Sequence, residues 1–275
     1  MSSLRDFFVY LRGLFRAYFF VMIELTTFHW IIAAMALMGL VTFVALFFVE
    51  AGYGYLFNPK YGFPIPNKVG WVLMEAPAFF MMLYWTLRAE SGEWTQLLLA
   101  GLYLLHYFQR SFIFPLLMRG SSKMPIGIAM MGLTFNCINA WLIGLWLFEL
   151  APAGYYAGWF GDWRLWLGVV IFFLGMGINM QADHIVRNLR KPGDKRHYIP
   201  RGGMFRYVSS ANYFGELVEW TGFAIASWSL PGLLFVWWTF ANLGPRSASL
   251  YKRYEREFGE EFTQLGRKRI IPFIY

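Results

Sequence analysis

Apolar runs long enough to cross a membrane recur along almost the whole chain, and they restrict its fold more than any other feature. A helix that spans the hydrocarbon core of a bilayer needs about 20 mostly apolar residues. Runs close to that length occupy residues 29–49, 69–87, 94–117, 124–148, 163–187, 213–229 and 231–250. They predict an all-α polytopic membrane protein with seven transmembrane helices.

The composition favours a single membrane domain. Hydrophobic residues make up 58% of the 275 residues and charged residues only 15%, whereas a soluble domain has about 25% charged residues. We therefore interpret residues 1–275 as one transmembrane domain. Basic and aromatic residues alternate near the N-terminus, which favours an interfacial segment at residues 1–27 over a cleavable signal peptide. Leu230-Pro231-Gly232 predicts the turn between the last two spans.

Basic residues collect in alternate loops, which sets the expected orientation. The net charge is +8, and we attribute it to membrane topology rather than to a nucleic-acid partner, because Lys and Arg concentrate in cytosolic loops. Loop 118–123, the loop after the fifth span and the C-terminal tail would then be cytosolic, and the N-terminal arginines would lie outside. The membrane is expected to be the endoplasmic reticulum in a eukaryote or the cytoplasmic membrane in a bacterium.

The sequence has no recognisable metal motif. Cys137 is the single cysteine, which excludes an internal disulfide and a cysteine-based cluster. The four histidines show neither HExxH nor another zinc spacing. We predict that no metal is bound.

Polar side chains share one helix face in four of the predicted spans, because positions three or four apart lie side by side on a helix. The four sets are Trp71 with Glu75, Tyr107 with Arg110, Asn179 with Asp183 and then Arg187 and Arg190, and Asn212 with Glu216 and Glu219. Each set has a simpler explanation in helix packing, helix capping or a cytosolic helix end. Their occurrence together favours a membrane cavity that holds a large, polar, anionic ligand.

A dinucleotide suits these residue types. Carboxylates accept hydrogen bonds from ribose hydroxyls, and arginines bind phosphates through charge-assisted hydrogen bonds. No GxGxxG motif follows a strand. Helix faces and cytosolic loops would therefore have to bind the ligand.

Several segments carry a family resemblance. They read WVLMEAPAFF, LHYFQRSFIFPLLMRG, LGMGINMQADHIVRNLRKPG, YIPRGGMFRYVSSANYFGELVEWTGFAIASWSLPGL, NLGPRSASLYKRYEREF and RKRIIPFIY. From about residue 69 onward the sequence resembles the steroid 5α-reductases (3-oxo-5α-steroid 4-dehydrogenases), which are integral-membrane NADPH-dependent enzymes. The resemblance implies seven helices, NADPH bound from the cytosolic side, and a 3-oxo-Δ4-steroid that enters from the lipid.

The resemblance also implies roles for individual residues. Tyr107 and Glu75 would face the 3-oxo group, and Trp71 would flank the nicotinamide. The other cofactor-binding residues would be Asn179, Asp183, Arg190, Asn212, Glu216, Arg246 and Tyr254, with Arg110 and Arg119 nearby. Two positions depart from the animal members: Met74 replaces a Gln before the catalytic Glu, and Leu250 replaces a His of the final helix.

Conjugate reduction is the chemistry that these residues would support. A hydride adds to the β-carbon of the enone, and negative charge develops on the carbonyl oxygen, which needs hydrogen-bond donors in a dry site. A tyrosine hydroxyl and a carboxyl that keeps its proton in apolar surroundings are suitable donors. Tyr107 and Glu75 are the predicted pair.

Other functions remain open. A membrane methyltransferase of the isoprenylcysteine type, which uses S-adenosylmethionine, resembles the reductases in its C-terminal cofactor region. Within the reductases, an enoyl-CoA or a sterol double bond is an alternative substrate. A proton-coupled transporter is less favoured, because the hydropathy shows no inverted repeat.

Overall fold

The structure is a computed structural model that describes residues 2–49, 58–89, 93–120, 122–190, 194 and 196–275, with side chains from residue 24 onward. Seven long helices lie within these residues. They are α1 (Ser2–Phe48), α2 (Asn67–Arg88), α3 (Trp94–Leu117), α4 (Ile126–Leu150), α5 (Trp163–Asn188), α6 (Ala211–Ser227) and α7 (Leu230–Phe258). A short helix, α8 (Glu260–Thr263), follows.

Five helical segments within the described residues have the length and apolarity of a membrane span. They are Glu24–Phe48, Asn67–Arg88, Trp94–Leu117, Ile126–Leu150 and Trp163–Asn188, and they coincide with the first five predicted runs. The sixth and seventh runs are also helical, but α6 has only 17 residues and the second half of α7 is rich in charge. The mostly helical fold is thus confirmed, with five candidate membrane spans in the described residues, and seven spans stay a prediction.

Helix α1 attaches to the bundle along α7. It runs without a break from Ser2 to Phe48, so no loop separates the predicted interfacial segment from the first span. Trp237 and Trp238 of α7 donate their indole N–H groups to the carbonyls of Ala36 and Met35, at 3.1 and 2.9 Å. These bonds fix α1 against α7, although most of the apolar surface of Glu24–Phe48 is exposed.

The turn between α6 and α7 begins before the predicted position. The chain reverses at Trp228, whose φ is 45°, and Ser229 caps α7 by accepting a hydrogen bond from the Gly232 amide at 3.2 Å. Pro231 therefore lies in the first turn of α7, where its missing N–H has no helical partner to lose. The predicted turn at Leu230-Pro231-Gly232 was therefore wrong: the chain reverses earlier, at Trp228, and Pro231 belongs to the helix.

A small ribbon, which the all-α prediction did not include, ties together the starts of two helices. Strands β1 (Pro64–Pro66) and β2 (Lys123–Pro125) pair antiparallel, with Ile65 opposite Met124. Asn67 extends the link, since its amide N–H and its side chain both donate to Ser122. The ribbon holds the N-terminal ends of α2 and α4 side by side.

Candidate functional site

Glycines bring two of the polar helix faces together. A Cβ on Gly175 of α5 would lie 2.2 Å from the backbone N of Glu219, and one on Gly215 of α6 would lie 2.4 Å from that of Asn179. Gly168 and Gly222 make similar backbone contacts one heptad further along. Close approach of this kind is typical of glycine seams between membrane helices. As a result, Asn179 on α5 donates to the carbonyl of Asn212 on α6 at 2.9 Å.

Asn136 joins the two predicted catalytic residues. It lies on α4 with 6% of its surface exposed. Its carbonyl oxygen accepts the hydroxyl of Tyr107 at 3.0 Å, and its Nδ2 lies 3.2 Å from Oε2 of Glu75. The same nitrogen donates to the main-chain carbonyl of Met74 at 2.8 Å. The predicted pair is therefore connected through one buried amide.

The helix that carries Tyr107 is irregular at the site. A π-helical turn runs from Gln109 to Ile113, in which the amide of Phe114 bonds to the carbonyl of Gln109. Pro115 follows and has no amide to offer, so the chain must adjust its hydrogen bonding here. Single π turns inside α-helices occur frequently at functional sites.

Arg110 lies in this π turn and connects three helices. Its NH1 is 3.1 Å from Oδ2 of Asp183 on α5, and both side chains are about one-tenth exposed or less. Its guanidinium also lies over the rings of Trp71 on α2 and Phe114, at 4.6 and 4.4 Å from their centroids. An arginine held this way combines a charge pair with cation–π contacts.

Glu216 lies within electrostatic range of Glu75, Tyr107, Asp183 and Tyr213, which belong to four different helices. Arg246 of α7 is buried and lies 5.8 Å from the ring centroid of Tyr213. The structure thus places acids and arginines from α2, α3, α5, α6 and α7 around one region.

Tyr254 and Arg190 lie at the polar end of this region. Burial raises the pKa of Tyr254 to about 12, so its phenol keeps a proton and can donate at neutral pH. Arg190 is exposed at the end of α5, and its charge reaches Tyr254. Arg119 is exposed beyond α3, and the contacts of the described residues do not join it to the others.

The C-terminal tail fixes the approach to α6. The amides of Ser209 and Ser210 donate to the carbonyls of Lys268 and Arg269, at 2.8 and 3.1 Å. Arg267 donates to the carbonyl of Pro200 at 2.9 Å. Nearby, hydrogen bonds from Arg196 and Tyr198 lower the pKa of Asp194. Hydrogen bonds therefore join the basic tail to the loop between α5 and α6.

Two features of the site were missed by the sequence reasoning. Asn136 was not singled out, although its run, MGLTFNCINAW, places Asn139 three residues further on, which is the spacing of the other polar faces. His106 was considered only as a metal ligand, yet its Nδ1 lies 2.8 Å from Oε1 of Glu219, with the two side chains 5% and 1% exposed. Its position directly before Tyr107 was the available signal.

Comparison with known proteins shows the family of the chain. Residues 122–275 match the family model described as 3-oxo-5-alpha-steroid 4-dehydrogenase. The chain is 40% identical to 3-oxo-5-alpha-steroid 4-dehydrogenase 1 of Homo sapiens, over 81% of this chain and 86% of that protein. It is 37% identical to the Bos taurus protein of the same name, over 86% and 93%. It is 35% identical to steroid 5-alpha-reductase DET2 of Gossypium hirsutum, over 91% and 98%.

Proposed function

Because this chain belongs to the 3-oxo-5-alpha-steroid 4-dehydrogenase family, we propose that it saturates the Δ4 double bond of a 3-oxo steroid within the membrane, using NADPH and giving the 5α-dihydro product. One observation carries the proposal. The buried amide of Asn136 connects the carboxyl of Glu75 with the hydroxyl of Tyr107.

The donor set fits the chemistry of NADPH. Asp183 and Glu216 offer carboxylates to ribose hydroxyls, and Asn212 adds an amide. Arg246 and Arg110 offer buried guanidinium groups to phosphates. Arg190 and the basic tail extend the positive charge beyond them, and Tyr254 adds a hydroxyl donor. When bound, NADPH supplies the hydride that adds to the β-carbon of the enone.

Tyr107 and Glu75 are proposed to act on the carbonyl oxygen of the substrate, while the hydride adds to its β-carbon. As the enone is reduced, negative charge develops on its carbonyl oxygen, and preorganised donors in a dry site stabilise that charge. Rotation about its C–O bond redirects the Tyr107 hydroxyl from Asn136 to the substrate oxygen, and the protonated carboxyl of Glu75 supplies a second donor. A proton from water then completes the reduction at the α-carbon.

The topology proposed for this enzyme has seven spans with the basic loops in the cytosol. NADPH is a cytosolic cofactor, so it would enter beside the tail and the loop between α5 and α6. The steroid is apolar and would enter from the lipid, past the exposed apolar helix faces. Helix α6 is short and the second half of α7 is rich in charged residues. Both features support a cofactor site at the cytosolic ends of these helices.

A direct assay tests the proposal. Purified protein in detergent would receive NADPH and either progesterone or testosterone, with product analysis by mass spectrometry. We expect a ring-A-saturated steroid and faster turnover with NADPH than with NADH. Transfer of a methyl group from S-adenosylmethionine to an isoprenylcysteine, or reduction of an enoyl-CoA in place of the steroid, would contradict it.

A further inference from the structure

We propose that Asn136 is a positioning residue that holds Tyr107 and Glu75 as one donor unit for the substrate carbonyl. This inference rests on the proposed function. Its basis is the set of three hydrogen bonds that a single buried side chain makes, to Tyr107, Glu75 and the carbonyl of Met74.

The orientation of the amide follows from its partners. The main-chain carbonyl of Met74 can only accept, so the nitrogen of Asn136 must face it. The oxygen of Asn136 consequently faces Tyr107, and the phenol must be the donor in that bond. Asn136 therefore holds the Tyr107 hydroxyl in place before substrate arrives, and the hydroxyl turns from Asn136 to the carbonyl oxygen when the substrate binds.

The same orientation has a consequence for Glu75. An N–H group points at Oε2 from 3.2 Å, which makes Oε2 the accepting oxygen of a protonated carboxyl. The acid proton is then directed to Oε1, where it can serve the substrate. Asn136 thus determines which oxygen of Glu75 acts as the donor.

The scaffold around Asn136 is built for close contact. A Cβ on Gly132, one helical turn earlier on α4, would lie 2.2 Å from Sδ of Met74. Gly132 therefore lets α4 approach α2 closely enough for Asn136 to reach the Met74 carbonyl. The ribbon of β1 and β2 holds the starts of the same two helices together.

The test compares Asn136→Leu with Asn139→Leu. Asn139 is a second buried amide on α4, and it donates to Tyr103 at 3.4 Å rather than to the proposed pair. For Asn136→Leu we expect kcat with NADPH and a 3-oxo-Δ4-steroid to fall at least tenfold, with KM for NADPH changed less than twofold. For Asn139→Leu we expect a smaller loss of kcat, below threefold. Equal losses in the two variants would overturn the proposal.

A binding measurement separates positioning from a merely structural role. A steroid with a phenolic ring A resembles the enolate in charge, whereas the saturated 3-oxo product does not. Asn136→Leu should weaken binding of the phenolic steroid about tenfold and binding of the product less than twofold, as measured by tryptophan fluorescence. A uniform loss for both ligands, or no loss for either, contradicts the proposal.

Further controls keep the outcomes distinct. Thermal unfolding of each variant reports whether it is folded. If Asn136→Leu is not recovered, Asn136→Thr replaces it, because threonine can keep one of the hydrogen bonds. We expect Asn136→Thr to lose three- to tenfold in kcat, and unchanged kcat overturns the inference. If the unaltered protein reduces no 3-oxo-Δ4-steroid, the proposed function fails instead.

Discussion

At the residue scale, the site consists of buried polar groups that satisfy one another across helices. Tyr107 and Glu75 meet through Asn136, and Arg110 pairs with Asp183. A buried polar group without a partner is costly, so each of these residues constrains the placement of the next. Substitution of a residue proposed for chemistry should lower turnover, whereas substitution of a residue that maintains the fold should lower the melting temperature.

Tyr107→Phe tests the proposed electrophile. Loss of one donor to a developing oxyanion typically lowers kcat by roughly 10²–10³, and we expect a loss of that size. The phenyl ring keeps the packing against Tyr103, whose ring centroid lies 4.6 Å away. Because the buried oxygen of Asn136 loses its donor, the melting temperature should fall modestly. Steady-state turnover of testosterone with saturating NADPH measures the effect, and full activity would remove Tyr107 from the mechanism.

The pair of His106 and Glu219 is expected to contribute to stability. His106→Leu leaves a carboxyl that is 1% exposed without its imidazole partner, and an unsatisfied buried polar group typically costs about 1–3 kcal/mol. The double variant His106→Leu/Glu219→Leu removes both polar groups and should be more stable than His106→Leu alone. Thermal unfolding in detergent compares them, and a double variant that is less stable than the single variant contradicts this reading.

At the element scale, the contact between α5 and α6 decides whether the residues proposed to bind the cofactor meet. Hydropathy located both helices, but it does not report how closely they approach. The glycines at 168, 175, 215 and 222 permit backbone contact, and the polar faces of the two helices are aligned as a result. The seven-residue spacing of these glycines is visible in the sequence. It indicates a close helix contact only when the two neighbouring helices are known.

Gly175→Ala should force these helices apart, because its new Cβ would lie 2.2 Å from the backbone of Glu219. We expect a lower melting temperature and NADPH binding weakened at least tenfold, since Asn179 and Asn212 would separate. Gly177→Ala is the matched control: nothing lies within 4 Å of its Cβ, and alanine favours helix over glycine by roughly 0.5–1 kcal/mol. Similar binding losses in both variants would show that the seam is not responsible.

At the scale of the whole molecule, charge and helix order together predict the orientation. The tail and the loop between α5 and α6 are joined by main-chain hydrogen bonds, so they must lie on the same side of the membrane. Both are rich in Lys and Arg, which favours the cytosolic side. The loop between α4 and α5 should then lie on the opposite side.

Cysteine labelling tests this orientation. In a Cys137→Ser background, Lys252→Cys should react with an impermeant maleimide only from the cytosolic face of sealed vesicles. Ala153→Cys should react only from the other face. Both positions are exposed, so accessibility does not limit the reaction. Labelling of both cysteines from the same face would rule out the proposed topology.

The sequence by itself determined the helical membrane architecture, because the cost of exposing backbone and charge to lipid forces long apolar helices with basic loops. It also determined which faces were polar, through the spacing of residues such as Asn179 and Asp183. Only the tertiary structure decided which residues complete the site. The partners of Tyr107 and His106 lie 29 and 113 positions away in the chain, and such contacts depend on how helices pack, which the periodicity of a single helix does not encode.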